Sequence, residues 1–239
     1  MNRITGIFSI LGVFILFLIV DSSISAAPIF FGPTPYLSSG AIPVGFYAGG
    51  SPTALENFED GTLSFGITAS AGAVIPPGSA GLIDSVDGDD GVIDGSGLAG
   101  HSWFFGSGAT GVTFTFSGPL PTAAGMVWTD GAGTTTFEAF GPGMVSLGTI
   151  GPAAIADGSF SGTTAEDRFF GVQDPGGILA IKLRNTSGGI EVDHVQFGAV
   201  PSAVVPEPSA ITLLGLGALS LLCHIWRRKR GGAPVGVAE

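Results

Sequence analysis

Between Gly111 and Phe116 the chain reads Gly-Val-Thr-Phe-Thr-Phe, so Val112, Phe114 and Phe116 point one way and the two threonines the other. Side chains of a strand alternate between two faces, and a helix cannot hold that pattern on one side. The alternation returns in Thr134–Phe140 and in Ile178–Arg184, where Leu179, Ile181 and Leu183 are placed inward and Lys182 and Arg184 outward. Thr62–Ala69 adds a face made of Leu63, Phe65 and Ile67. Ala124–Trp128, Met144–Ile150, Arg168–Val172 and Ile190–Phe197 complete a set of about eight strands, punctuated by Gly, Pro or Asp turns. Before Ala210 no window carries a persuasive helical period. Glycine, at 41 of 239 residues, suits tight turns, and the regular apolar faces argue against low-complexity disorder. The expected fold is all-β: a two-sheet antiparallel β-sandwich, jelly-roll-like, over residues 53–200, with an up-and-down barrel as the competing arrangement. Residues 27–52 read as a loosely ordered lead-in.

The two ends read differently. Arg3, the apolar stretch Ile7–Val20 and the small residues Ser22–Ala27 have the order of a secretory signal peptide, residues 1–26, removed by signal peptidase near Ala26. At the other end Ala210–Trp226 holds no charged side chain. As a helix rising about 1.5 Å per residue it would cover roughly 25 Å, close to the bilayer's hydrocarbon thickness, so 210–226 is expected to be a transmembrane helix. Arg227, Arg228, Lys229 and Arg230 follow at once, and such a cluster stays on the cytoplasmic side, giving a basic tail over 227–239. Trp226 suits the interfacial belt. Pro206 and Pro208, in the Pro-rich linker 201–209, are expected to keep Val204–Ser209 extended and exposed, a strip a processing enzyme can grip.

Val205-Pro206-Glu207-Pro208-Ser209, an apolar helix and four bases, in that order, resemble the PEP-CTERM sorting signal of bacterial surface proteins. The resemblance implies recognition by a membrane-embedded exosortase that cuts near the Pro-Glu-Pro. It covers about the last thirty residues, and the tail Gly231–Glu239 runs past the point where members of that family usually end.

Outside the terminal signals the charge is one-sided. Between Pro28 and Val205 stand sixteen acids against Arg168, Lys182 and Arg184, a net charge of −13. That sign repels nucleic acid and suits divalent cations or neutral glycans such as extracellular polysaccharide. The one cysteine, Cys223, lies in the apolar C-terminal stretch, so no intrachain disulfide supports the exported body.

Three acidic places are candidates for chemistry. Asp84, Asp87, Asp89, Asp90 and Asp94 crowd one Gly-rich stretch, an oxygen-rich setting suited to calcium or a solvated loop, although the spacing is not that of an EF-hand. Glu56-Asn57-Phe58-Glu59-Asp60-Gly61 opens the first strand, and Ile190–Phe197 closes the last. In the closing segment Ile190 and Val192 share one parity and Val195 and Phe197 the other, which predicts a β-bulge near Asp193-His194. This pairing is similar to jelly-roll carbohydrate-binding modules, and that resemblance implies a calcium held by Glu59 and Asp193. The reading that both acids simply face solvent stands beside it. Third, Arg168 adjoins Glu166 and Asp167, the makings of an ion pair ahead of Phe169-Phe170.

Glu166 and Asp167, adjacent and diverging on a strand, are poor paired acids, although Glu138 and Asp130 keep a glycosidase open, and other enzyme signatures fail. His101 and His194 are the only histidines between the terminal signals, too few for a typical zinc hydrolase. Gly158-Ser159-Phe160-Ser161-Gly162 lacks the central serine of a nucleophile elbow, and no Gly-Lys-Ser or Gly-Lys-Thr marks a phosphate loop. Trp103, Trp128 and Tyr47 have rings able to stack on a sugar, though Trp128 inside an apolar strand suits the core better. The expected function is that of a non-catalytic, exported surface or matrix protein; a secreted polysaccharide hydrolase is the alternative.

Overall fold

The computed structural model describes residues 26–76, 84–86, 100–156, 166–201 and 208–230. The signal-peptide expectation, Ala26 apart, lies outside these residues. Among the described residues ten strands are formed: β1 Ile29–Pro35, β2 Ala54–Glu56, β3 Ile67–Ala69, β4 Ala73–Ile75, β5 Ser102–Phe105, β6 Val112–Phe116, β7 Ala123–Gly141, β8 Val145–Ala153, β9 Arg168–Gln173 and β10 Ala180–Gly198. All pairings are antiparallel, and one helix, α1, follows over Pro208–Arg230.

The spine is the β7–β10 pair, each strand 19 residues long. Segments that read as four separate strands, 124–128 with 134–140 and 178–184 with 190–197, are therefore two. The residues between them do not turn the chain back. They pair with each other, Asn185 opposite Thr135, Ser187 opposite Ala132 and Ile190 opposite Gly131, with register shifts between. Such bulges bend a strand and increase its twist. Here the bend is sharp enough to bring the two ends of β10 together: Phe116 donates its N–H to Leu179 O at 2.9 Å, and its ring lies 4.8 Å from that of Phe197.

Shorter strands fill the flanks. β9 lines the first half of β7 and β8 the second, while β6, β5 and β2 succeed one another along β10. β1 extends β9, β3 extends β6 and β4 extends β5. Among the described residues all ten strands thus share one hydrogen-bonded sheet, folded over on its bent spine, so the expected two-sheet sandwich is not shown. The all-β class stands.

The inner face carries the main core. Val112, Phe114 and Phe116 of β6, Ile181 and Leu183 of β10, and Phe137 and Ala139 of β7 are buried in it, as their alternation required. Trp128, Met126, Phe170 and Val172 join them. The outer face of β7 and β9 is covered as well: Val127 and Phe169 pack with Tyr36, Phe46, Tyr47 and Val86 in a second cluster. Residues 27–52 are consequently no loose lead-in. They supply β1 and three fully packed aromatic side chains, because an apolar face on β9 needs a cover.

Two further expectations change. Thr62–Ala69 is not one strand: Ile67 N–H bonds to Ser64 O at 3.2 Å and Gly66 takes φ +94°, so a turn swings Phe65 into solvent. The C-terminal expectation of a transmembrane helix over 210–226 is met in its helical part only, since among the described residues no helix is long and apolar enough to cross a membrane. The apolar run of α1 is diluted by Gly215, Gly217, Ser220 and His224, and the four bases Arg227–Arg230 close the helix. Pro208 and Ser209, expected to be extended, form the first turn of α1. Proline costs nothing there, because the first helical N–H has no intrahelical partner to lose.

Candidate functional site

Two regions concentrate functional side chains: the C-terminal segment and a row of buried acids on β10. In the C-terminal segment Val205, Pro206 and Glu207 lie outside the described residues, and Pro208 and Ser209 begin α1. Among the described side chains of the helix, Leu214, Leu216, Leu219, Leu221, Leu222, Ile225 and Trp226 are all exposed and bury no stripe against the β domain. A helix that is apolar all round takes its burial from elsewhere. Arg227 follows as the first of the four bases, with Arg228, Lys229 and Arg230 completing α1.

The second region follows from the bulge that the sequence predicts. His194 adopts φ +44°, and the β7–β10 register slips between Asp193 and Gln196. Ile190, Val192 and Val195 thereby all reach the main core despite their change of parity. Glu191 and Asp193 fall on the other face, and Asp193, for which solvent was one expectation, is buried with Glu191 because residues 84–86 lie across them. Asp193 Oδ2 accepts the Val86 N–H at 2.9 Å and the Ser85 hydroxyl at 3.2 Å; Oδ1 accepts the His194 N–H at 2.6 Å. Glu191 Oε1 accepts the Ser102 hydroxyl, and the Asp84 N–H at 3.3 Å. Asp130 stands opposite Glu191 on β7. Burial pushes the Glu191 carboxyl up to about 8; the Ser102 hydrogen bond works against that shift and the charge of Asp130 adds to it. Beyond the bulge the Tyr36 hydroxyl shares a 2.8 Å hydrogen bond with His194 Nδ1. Asp193 is thus a clamp that pins the start of the Asp-rich stretch to the sheet.

Glu59 sits elsewhere. Its carboxylate accepts the His101 N–H at 2.6 Å and meets His101 Nδ1 at 3.3 Å. Glu59 thus bonds to His101, and Asp193 to Ser85, Val86 and the His194 N–H. Among the described residues no group of three or more His, Cys, Asp or Glu side chains is placed to hold a metal ion. Asp87, Asp89, Asp90 and Asp94 lie outside those residues. At the third place Arg168 Nη1 donates to the Asp167 carbonyl at 2.8 Å, beside buried Glu166 and Asp167.

The rings proposed for sugar stacking are all inside. Trp103, Trp128 and Tyr47 are buried, and Trp128 Nε1 donates to Asn185 Oδ1 at 3.1 Å. The large aromatic side chains exposed on the described β domain are Phe65 and Phe104. Sequence reading passed over Glu191 and Ser102 as a site. The signal for them was the alternation around Ile190 and Val192, which puts Glu191 on the far face; what hides that face comes from remote segments.

Comparison with known proteins adds the following. The model of the PEP-CTERM protein-sorting motif matches residues 204–229, which shows a sorting signal of exosortase substrates and implies export and sorting to the surface. No curated protein matches this chain. Among solved structures the chain is similar to the enzymatically active domain of bacteriophage CBA120 tailspike protein 4, at 13% identity and a TM-score of 0.30. That alignment covers 60% of this chain and 20% of the phage chain.

Proposed function

We propose that this chain, an exported protein bearing a PEP-CTERM signal, displays its acidic β domain at the cell surface or in the extracellular polymeric matrix as a binding or structural module. The observation that carries the reading is the match over 204–229, which starts just past the last strand and ends within the basic cluster. The uniformly exposed apolar side chains of α1 support a precursor held at the membrane until an exosortase cuts near Pro206. Buried Trp and Tyr rings favour a structural or polar-loop role over an aromatic sugar platform.

In producing cells, Pro206→Ala combined with Glu207→Ala is expected to leave the full C-terminal segment on the protein and to retain it in the membrane fraction. Unchanged delivery and an unchanged mature mass would contradict the sorting role. The module's partner is tested by retention on matrix polysaccharide with calcium or with chelator. Retention without turnover supports a binding module, and calcium-dependent retention adds the ion as its cofactor. Turnover of the polysaccharide that is lost on changing a single carboxylate supports the hydrolase reading instead.

A further inference from the structure

The strand register identifies the end of the fold from which the chain leaves for α1. Gly198 closes β10 opposite Ala123, the first residue of β7; Ala123 faces Gln173, the last of β9, which in turn faces Ile29, the first of β1. The bent spine brings the remaining ends to the same place: Ile178 donates its N–H to Pro121 O at 2.8 Å and Thr122 to Gly198 O at 3.0 Å. Gly141, the last residue of β7, pairs there with Val145.

This rim is apolar at its tips. Val44 and Phe65 are fully exposed, and Ile29, Met144 and Val145 are about half exposed or more. Their positions are fixed. Gln173 Nε2 donates to Gly45 O at 2.9 Å and to Phe46 O at 2.8 Å, holding the Val44 turn, while Ser117 N–H bonds to Gly66 O at 2.9 Å behind Phe65. A groove of about 220 Å³ runs between Pro119–Thr122 and Phe197–Ala199 among these tips. Single exposed apolar side chains are ordinary, but five gathered on one end mark a contact surface.

Among the described residues the tips of the rim carry no exposed charge, the partly exposed pair Lys182 and Glu138 standing two residues in from Ala180 and Phe140. No charged residue occurs from Ala27 to Leu55, nor in 64–66, 117–122 or 141–145, in a domain whose net charge is −13. Asp174 is the acid of this end; it is buried, and its Oδ1 accepts the Gly176 N–H at 3.2 Å. The acid-rich stretches are rooted farther off. Residues 84–86 hang on Asp193 and Glu191, about 16 and 23 Å up β10 from Gly198 at a strand rise of 3.3 Å per residue. Glu166 and Asp167 adjoin Arg168, at the opposite end of β9 from Gln173.

From these observations we infer that the rim rests on a lipid surface, with Val44 and Phe65 entering the apolar layer. The inference depends on the proposed reading that α1 is held at a membrane. Val200 is tied to the rim by its N–H bond to Thr122 Oγ1 at 2.9 Å, and the seven steps from Pro201 to Pro208 reach at most about 25 Å, so this end faces whatever holds the helix. A second copy is the poorer occupant, because two bodies of charge −13 repel. Uncharged tips under an acidic body draw no affinity from anionic headgroups, so the preferred surface is zwitterionic.

The test uses the full chain with Cys223→Ser and one fluorophore-labelled cysteine, introduced by V44C, F65C, A109C or L219C, in phosphatidylcholine vesicles with brominated acyl chains. Ala109 is an exposed residue of the bend end, beside the Gly108 N–H bond to Gly188 O. Labels at positions 44 and 65 are expected to lose most of their emission to the bromines, and the label at 109 none. Bright labels at 44 and 65 with a quenched label at 219 overturn the rim contact and leave the membrane reading intact. If the label at 219 is bright too, both readings fall. Rim labels shielded from aqueous iodide yet untouched by bromine show that a second copy covers the rim, which also overturns the inference.

Discussion

At the residue scale the fold depends on a few buried polar groups whose partners can be named. Asn185 Oδ1 accepts the Trp128 Nε1–H and the Thr135 hydroxyl, both at 3.1 Å, and its Nδ2 donates to Gly189 O at 2.8 Å. One side chain therefore ties both long strands together where they bend. Asn185→Ala strands a buried indole N–H and a carbonyl, and is expected to lower stability by about 3 kcal/mol, read as a fall in the urea midpoint with an unchanged slope. Glu191 sets a pH dependence. Its carboxyl ordinarily titrates near 4.5 and is raised to about 8 in the fold, so the native state binds the extra proton between those values. Its stabilising contribution is full below about pH 4.5 and is lost as pH rises through about 8. Glu191→Gln keeps an acceptor for Ser102 and removes the titration. Thermal melts from pH 5 to pH 8.5 are expected to fall more steeply for the wild type than for E191Q; parallel curves would contradict the assignment.

At the element scale the bend of β7 and β10 decides the architecture. A Cβ on Gly131 would stand 1.7 Å from Asn185 Nδ2, and one on Gly108 would stand 2.9 Å from Gly188 O. Gly131→Ala is therefore expected to cost about 1–3 kcal/mol as an overpacked site, whereas Gly118→Ala, with open space around it but φ +85°, strains only its own turn. Comparison of the two melting temperatures separates packing from backbone strain. How much of this the sequence announces depends on where the partner lies. Val112, Phe114 and Phe116 were legible because a half-buried strand writes its inner face as a period of two. The merging of segments into β7 and β10 was not, because Thr129–Gly133 and Asn185–Gly189 have the Asp, Asn and Gly content of turns while in fact pairing across the spine. The break at His194 was legible as a parity slip. The burial of Asp193 and Glu191 was not, because their cover, residues 84–86, comes from a remote part of the chain.

At the scale of the whole molecule the charge of the β domain is unevenly placed. A rim with uncharged, apolar tips adjoins the exit toward α1, and the acid-rich stretches are rooted up the strands from it. Because Val44 and Phe65 contact little within the domain, V44S with F65S is expected to change folding stability by less than about 1 kcal/mol while weakening contact with lipid, so urea unfolding and bromolipid quenching respond independently. The sorting match over 204–229 implies export and sorting to the surface, and the proposed processing would trim the body at both ends. The mass of the intact mature protein, recovered from a cell-surface fraction, tests that account most directly. Termini near Ala27 and near Pro206 are predicted; a mature chain that begins at Met1 or still carries Trp226 would contradict it.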